Sequence, residues 1–138
     1  MKGLLVASMT LALAGCSGAE MAPRNTPEAQ PQVVATAATV AELDQQIRSM
    51  VGMAYAEDFA QCRLAEVGHR PCGGPQYFIA YSTASVDEKT LLSLIDEHRQ
   101  LQQDYQQKHG VVGTCEVLQR PSLAYVDGRC VAQHHLVR

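Results

Sequence analysis

The five histidines and five cysteines of this 138-residue chain are the side chains that could ligate a metal, relay a proton or attack a carbonyl. Cys130 stands close to His134-His135, with Cys115 upstream, a set of zinc-type donors. No Cys-x-x-Cys pair accompanies it, and adjacent histidines point to opposite faces of any strand that carries them. No metal or other cofactor is therefore expected. His98 falls in an apolar stripe at helical spacing, where a core histidine satisfied by one hydrogen bond is the ordinary outcome; a catalytic base there needs a cleft that brings acidic partners to it. His69 and His109 occupy loop or helix-end positions with no partner readable in sequence. Gly73-Gly74 lacks the preceding strand and the G-x-x-x-x-G-K-[ST] spacing of a phosphate loop, so a tight turn beside Cys72 is expected. G-x-S-x-G, H-E-x-x-H and paired catalytic carboxylates do not occur, which points away from an enzyme.

The cysteines take their meaning from the N-terminus. Met1-Lys2 is a short basic start, and residues 4 to 14 form an apolar run without a charge, the layout of an export signal. Eleven residues are too few to cross a hydrocarbon core that takes about 20. The run ends in Leu13-Ala14-Gly15-Cys16, which resembles the bacterial lipoprotein signal at four adjacent positions. That resemblance implies removal of residues 1–15, attachment of diacylglycerol to the Cys16 sulfur and acylation (palmitate) of the new amino group. Ser17 in place of Asp implies sorting to the outer membrane, with the domain on the periplasmic face. Two or more acyl chains hold a protein durably on a bilayer.

With Cys16 given to lipid, Cys62, Cys72, Cys115 and Cys130 remain as an even set in an oxidising compartment, so two disulfides are expected and no thiol is left for nucleophilic chemistry. Four cysteines allow three pairings. Sequence proximity favours Cys62 with Cys72 and Cys115 with Cys130, and a crossed arrangement stays open. The whole chain carries a formal net charge of −3, and loss of Lys2 with the signal leaves ten basic against fourteen acidic side chains. No basic surplus is available to neutralise phosphates, so no nucleic-acid partner is expected.

The elements that must position these residues follow from periodicity. Residues 16–38 carry Pro23, Pro27 and Pro31 among small and polar residues and read as a flexible tether, leaving 39–138 as one compact domain. Thr39-Val40-Ala41-Glu42 has the form of a capping box, and Val40, Leu43, Ile47, Met50, Val51, Ala54 and Tyr55 at helical spacing predict a helix from about 40 to the low 60s, with Cys62 near its end. Ser85-Val86-Asp87-Glu88 opens a second helix, about 86 to 109, closed by His109-Gly110. Residues 77–82 are a strand or extended segment, 114–119 and 122–126 are candidate strands, and Asp127-Gly128 is a hairpin turn that sets Val126 opposite Arg129 and Tyr125 opposite Cys130. The expected class is α+β: two amphipathic helices packed on each other with a small C-terminal antiparallel hairpin or sheet, stapled by two disulfides.

From Cys62 to Cys130, about half the chain, Cys72-Gly73-Gly74-Pro75, Tyr81-Ser82, the long polar helix and Gly128-Arg129-Cys130 resemble small disulfide-bonded lipoproteins of Gram-negative bacteria. That resemblance implies no particular activity. In format the domain is also similar to periplasmic inhibitor and immunity lipoproteins that block cell-wall-attacking enzymes. With no catalytic motif in the chain, the expected role is that of a membrane-anchored, non-catalytic protein-binding module whose partner is a periplasmic or envelope protein. An accessory lipoprotein of an envelope assembly, using the Gln-rich helix face or the sheet edge, is the alternative, and a periplasmic enzyme is a further one.

Overall fold

Thr36 accepts a hydrogen bond from the Thr39 amide while the Thr39 hydroxyl accepts one from the Thr36 amide, and this reciprocal cap starts α1, Ala37–Val51. In the computed structural model, residues 33–134 are described. The signal segment, Cys16 and most of the tether lie outside them, as does His135. The cap is three residues earlier than the expected Thr39-Glu42 box, so the last two residues of the expected tether belong to the helix. Leu43, Ile47 and Val51, spaced four apart, are its buried stripe. α1 stops at Gly52, whose φ of +53° lies in the left-handed region. The expected continuation to the low 60s is thus wrong: the apolar stripe runs on through Ala54, but Gly52 turns the chain out of the helix.

The chain instead passes through a short 3-10 turn at Phe59–Gln61 into β1, Cys62–Val67, which pairs antiparallel with β2, Tyr77–Ser82. Cys62 therefore opens a strand opposite Ser82 and does not end a helix. Between the strands, Arg70 and Gly74 close a tight turn around Cys72 and Gly73, with the Gly73 amide donating to the Arg70 carbonyl at 2.8 Å. This is the turn expected beside Cys72.

Asp87, two residues after Ser85, caps α2, Glu88–His109, by accepting from the Thr90 amide at 2.8 Å. Gly110 ends it in the left-handed conformation. Residues 114–119 form no strand, since they lie against the 70–75 turn, with Cys115 bonded to Cys72 and the Glu116 carbonyl accepting from Arg70, and no second strand pairs with their backbone. β3, Ser122–Val126, and β4, Arg129–Gln133, make the expected hairpin, with Val126 opposite Arg129 and Tyr125 opposite Cys130. Asp127 and Gly128 both have positive φ, the mirror-image turn that suits a twisted hairpin.

The class is α+β with two small antiparallel sheets. The helices pack on each other, and β2 and β4 bring the two sheets together. The core gathers Ile47, Val51, Val67, Leu91 and Ile95 with the sulfur of Cys62 and Cys130. The bridges are Cys62–Cys130 and Cys72–Cys115, so all four domain cysteines pair as expected but the preferred connectivity is corrected. Proximity along the chain misleads because Cys62 sits at the start of β1 beside the C-terminal hairpin, whereas Cys115 lies in the segment that wraps the Cys72 turn.

Candidate functional site

Asp44 and Arg48, one turn apart on α1, meet Tyr77 at the start of β2 along one wall of a groove of about 630 Å³ between the helices. The Tyr77 hydroxyl donates to Asp44 Oδ1 at 2.6 Å, and Arg48 Nε donates to Asp44 Oδ2 at 2.7 Å. The guanidinium lies over the Tyr77 ring, 4.2 Å from its centre. Burial acts to raise the Asp44 carboxyl, but the hydrogen bonds from Arg48 and Tyr77 outweigh it and hold the group below its ordinary value. The same contacts raise Arg48, and burial together with the Asp44 bond pushes the Tyr77 hydroxyl well up. At neutral pH the wall therefore carries one negative and one positive charge locked together.

His98 of α2 also lines this groove, only 1% exposed, and its Nδ1 has no hydrogen-bond partner. The expected single satisfying bond is thus missing at that atom. Burial pushes its pKa down, the Asp44 charge opposes this and the Arg48 charge adds to it. Cleft and acidic neighbour are both present, the arrangement a catalytic base needs. Both Asp44 oxygens, however, are engaged by Tyr77 and Arg48 and not by His98.

The opposite wall is built by glutamine amides. Gln102, buried on α2, accepts from the His69 amide at 2.6 Å and donates to Gln76 at 2.8 Å; Gln106 donates to the His69 carbonyl and bonds His69 Nδ1, both at 2.8 Å. Gly68, at φ +77°, is where this network closes, since a Cβ there would stand 2.6 Å from Gln102 Oε1. His69 is thereby accounted for as a structural group. His109 packs beside Tyr105 with ring centres 4.5 Å apart, and His134 is exposed just beyond β4. Cys115 and Cys130 are in different disulfides, and among the described residues no group of three or more His, Cys, Asp or Glu could hold a metal.

Sequence reasoning missed Asp44, Arg48 and Tyr77. The signal present was the Asp-x-x-x-Arg spacing, which puts opposite charges on one helix face, but the same spacing is common on solvated faces.

A second feature lies at the hairpin. Residues 54–56 run beside the turn, with Ala56 donating to the Gly128 carbonyl, Cys130 donating to that of Ala54, and the Tyr125 hydroxyl donating to that of Glu57 at 2.9 Å. Tyr55, 61% exposed, pairs with Arg129 and so shares the hairpin face of Val126, whereas Tyr125 belongs to the other face with Cys130; Met53 and Phe59, both 54% exposed, lie on the same 52–61 stretch as Tyr55. Cys62–Cys130 fastens this strip to β1.

Together these features define a small α+β domain with two staples, an interhelical groove and an exposed apolar strip. Comparison with protein-family models, curated proteins and solved structures finds no match in any of the three.

Proposed function

We propose that this chain is an envelope lipoprotein, anchored in the outer membrane through acylated Cys16, whose domain is a non-catalytic module that binds a periplasmic or envelope protein. An inhibitor or immunity protein against a cell-wall-active enzyme is the form this reading takes first, and an accessory part of an envelope assembly the second. The observation that carries it is the strip of exposed apolar side chains Met53, Tyr55, Phe59 and Val126, on the segment that runs beside the covalently fastened hairpin and on the hairpin face it pairs with. Aromatic side chains left in water on a pre-formed surface lose little entropy when a partner covers them, which is the composition of binding hot spots. Glu57, Asp58, Asp127 and Arg129 border the strip, so the apolar centre has a rim of both charges.

The test is retention of a protein from envelope extract on the full-length chain, followed by calorimetry with that protein. Tyr55→Ser and Phe59→Ser are expected to abolish it and His98→Gln to leave it intact. A partner retained equally by the strip variants counts against the strip. Anchoring is checked separately, since Cys16→Ser is expected to remove fatty-acid labelling and release the protein from the membrane fraction.

One observation favours a second reading, an enzyme: the groove brings Asp44 to the same cleft as His98. It ranks below binding because no hydrogen bond joins the two side chains. Turnover of a small substrate that His98→Gln abolishes, with no protein partner found, would reverse that order.

A further inference from the structure

Protein docking on the hairpin strip leaves the interhelical groove unused. Its charges cancel, since Asp44 and Arg48 are paired at 2.7 Å, and His98 is pushed toward its neutral form by burial. A carboxylate or phosphate entering here gains Arg48 but meets Asp44, and an ammonium meets the reverse. What the groove offers in surplus is hydrogen bonding of both kinds. Arg48 engages Asp44 through Nε, which leaves its terminal amino groups as donors, and its side chain is 54% exposed. Each Asp44 oxygen accepts one bond and has a second lone pair. Gln76 is exposed and accepts from Gln102 through its carbonyl oxygen, which leaves its amide nitrogen as a donor group.

Beside these polar groups stand half-buried Tyr105 and the small apolar Val40 and Ala41. His98 supplies an independent observation: a ring 1% exposed lines the groove while its Nδ1 does nothing for the fold. Leaving a buried polar atom unsatisfied costs about 1–3 kcal/mol, and native structures retain few such groups. The opposite wall is rigid, because Gln102 and Gln106 are fixed to the His69 backbone. At about 630 Å³ the volume falls within the range of small-ligand sites.

We propose that the groove between α1 and α2 binds an uncharged, hydroxyl-rich ligand, a glycan, with Asp44 accepting from its hydroxyls, Arg48 and Gln76 donating to them, and Tyr105 forming the apolar platform. A hydroxyl donates and accepts at once, so neighbouring hydroxyls on a sugar ring satisfy a paired carboxylate and guanidinium without adding charge. The C–H face of the same ring covers the tyrosine and the alanine-lined wall. This site uses residues other than those of the hairpin strip, and it stands or falls independently of the protein partner.

The experiment titrates the full-length protein with chitotriose, cellotriose and acetyl-D-alanyl-D-alanine by calorimetry and by amide chemical shifts. Chitotriose or cellotriose is expected to bind and to shift amides of residues 37–48, 76–77 and 98–106. Asp44→Asn, Gln76→Ala and Tyr105→Ala are each expected to weaken that binding about tenfold or more. Tyr105 is half-buried and belongs neither to the Asp44–Arg48–Tyr77 cluster nor to the amide wall, so its variant keeps the proposal testable even if Asp44→Asn or Gln76→Ala loosens the fold. Phe59→Ser is expected to leave sugar binding unchanged. Absence of binding by both sugars overturns the proposal. So does binding of acetyl-D-alanyl-D-alanine alone, which would make this a carboxylate site, or sugar binding unaffected by Gln76→Ala and Tyr105→Ala.

Discussion

At the α1–α2 groove, polar side chains are taken out of water, His98 to 1% and Gln102 to 8% exposure, whereas along the hairpin apolar ones are left in it, Tyr55 at 61% and Phe59 at 54%. The two departures from ordinary burial are not equivalent. Gln102 is buried with both ends of its amide bonded and is explained by the fold it holds together. The His98 ring is packed in the interior but one of its nitrogens is idle, and Tyr55 and Phe59 are exposed beside a disulfide-fastened hairpin; the fold uses neither that nitrogen nor those exposed faces. A departure that the fold itself uses is structural, and one that it does not use marks a surface to be tested.

The largest effect that would sharpen this contrast comes from the bridges. Cys62–Cys130 closes a span of 68 residues and Cys72–Cys115 one of 43, each contributing about 4 kcal/mol on the chain-entropy account. Cys62 and Cys130 are also core residues, so Cys62→Ala/Cys130→Ala is expected to destabilise more than Cys72→Ala/Cys115→Ala in urea melts, and to loosen the strip. With Cys72 and Cys115 exposed, dilute reductant is expected to open their bridge first, as peptide mapping after alkylation would show.

Gly68→Ala is the next test, on the groove side. The added methyl meets Gln102 Oε1 at 2.6 Å and Gln76 Cβ at 2.9 Å, at a φ of +77°, so a loss of about 2–3 kcal/mol is expected in thermal or urea melts. Gln102→Ala leaves the partly buried His69 amide without its acceptor and is expected to cost about 1–3 kcal/mol. An effect below a few tenths of a kcal/mol would make the amide wall dispensable and break the distinction drawn above.

Titration separates the groove from the strip by pH. The folded pKa of His98 lies below its ordinary 6.5, so the unfolded chain takes up the proton first. Its contribution is full above about pH 6.5 and is lost as pH falls through the folded value. Asp44, also depressed, contributes above its ordinary 3.8 and loses this as pH falls through its own lower folded value. Urea midpoints against pH are expected to decline in two acid-side steps, the upper one absent in His98→Gln and both present in Phe59→Ser. The smallest effect is that of Phe59→Ser on stability, within about 0.5 kcal/mol because the side chain is mostly exposed.

What could be read from sequence tracks how local the determining physics is. Asp127-Gly128 fixed the hairpin and its register because two consecutive positive-φ positions leave few other turns, and α2 was visible in its caps and stripe. β1 was hidden, because Cys62–Val67 follows an apolar stripe whose helical period runs past the true stop, and because a strand with the burial order of this one does not alternate strictly. Disulfide pairing and the groove depend on contacts between distant segments. Asp44 and Tyr77 are 33 residues apart, and nothing near either position announces the other.

The nested order of the two bridges has a consequence for proteolysis. Any single cut between Cys62 and Cys130 leaves the two pieces joined through that outer bond, so the nicked protein keeps one mass until it is reduced. The exposed stretch at 111–119, where Val112 is 91% accessible, is an open place for such a cut, and its anchorage at Cys115 to the 70–75 turn keeps one side of the break in place. Cleavage there would appear as two bands on a reducing gel and one on a non-reducing gel, with the hairpin and the helices still held in a single covalent body.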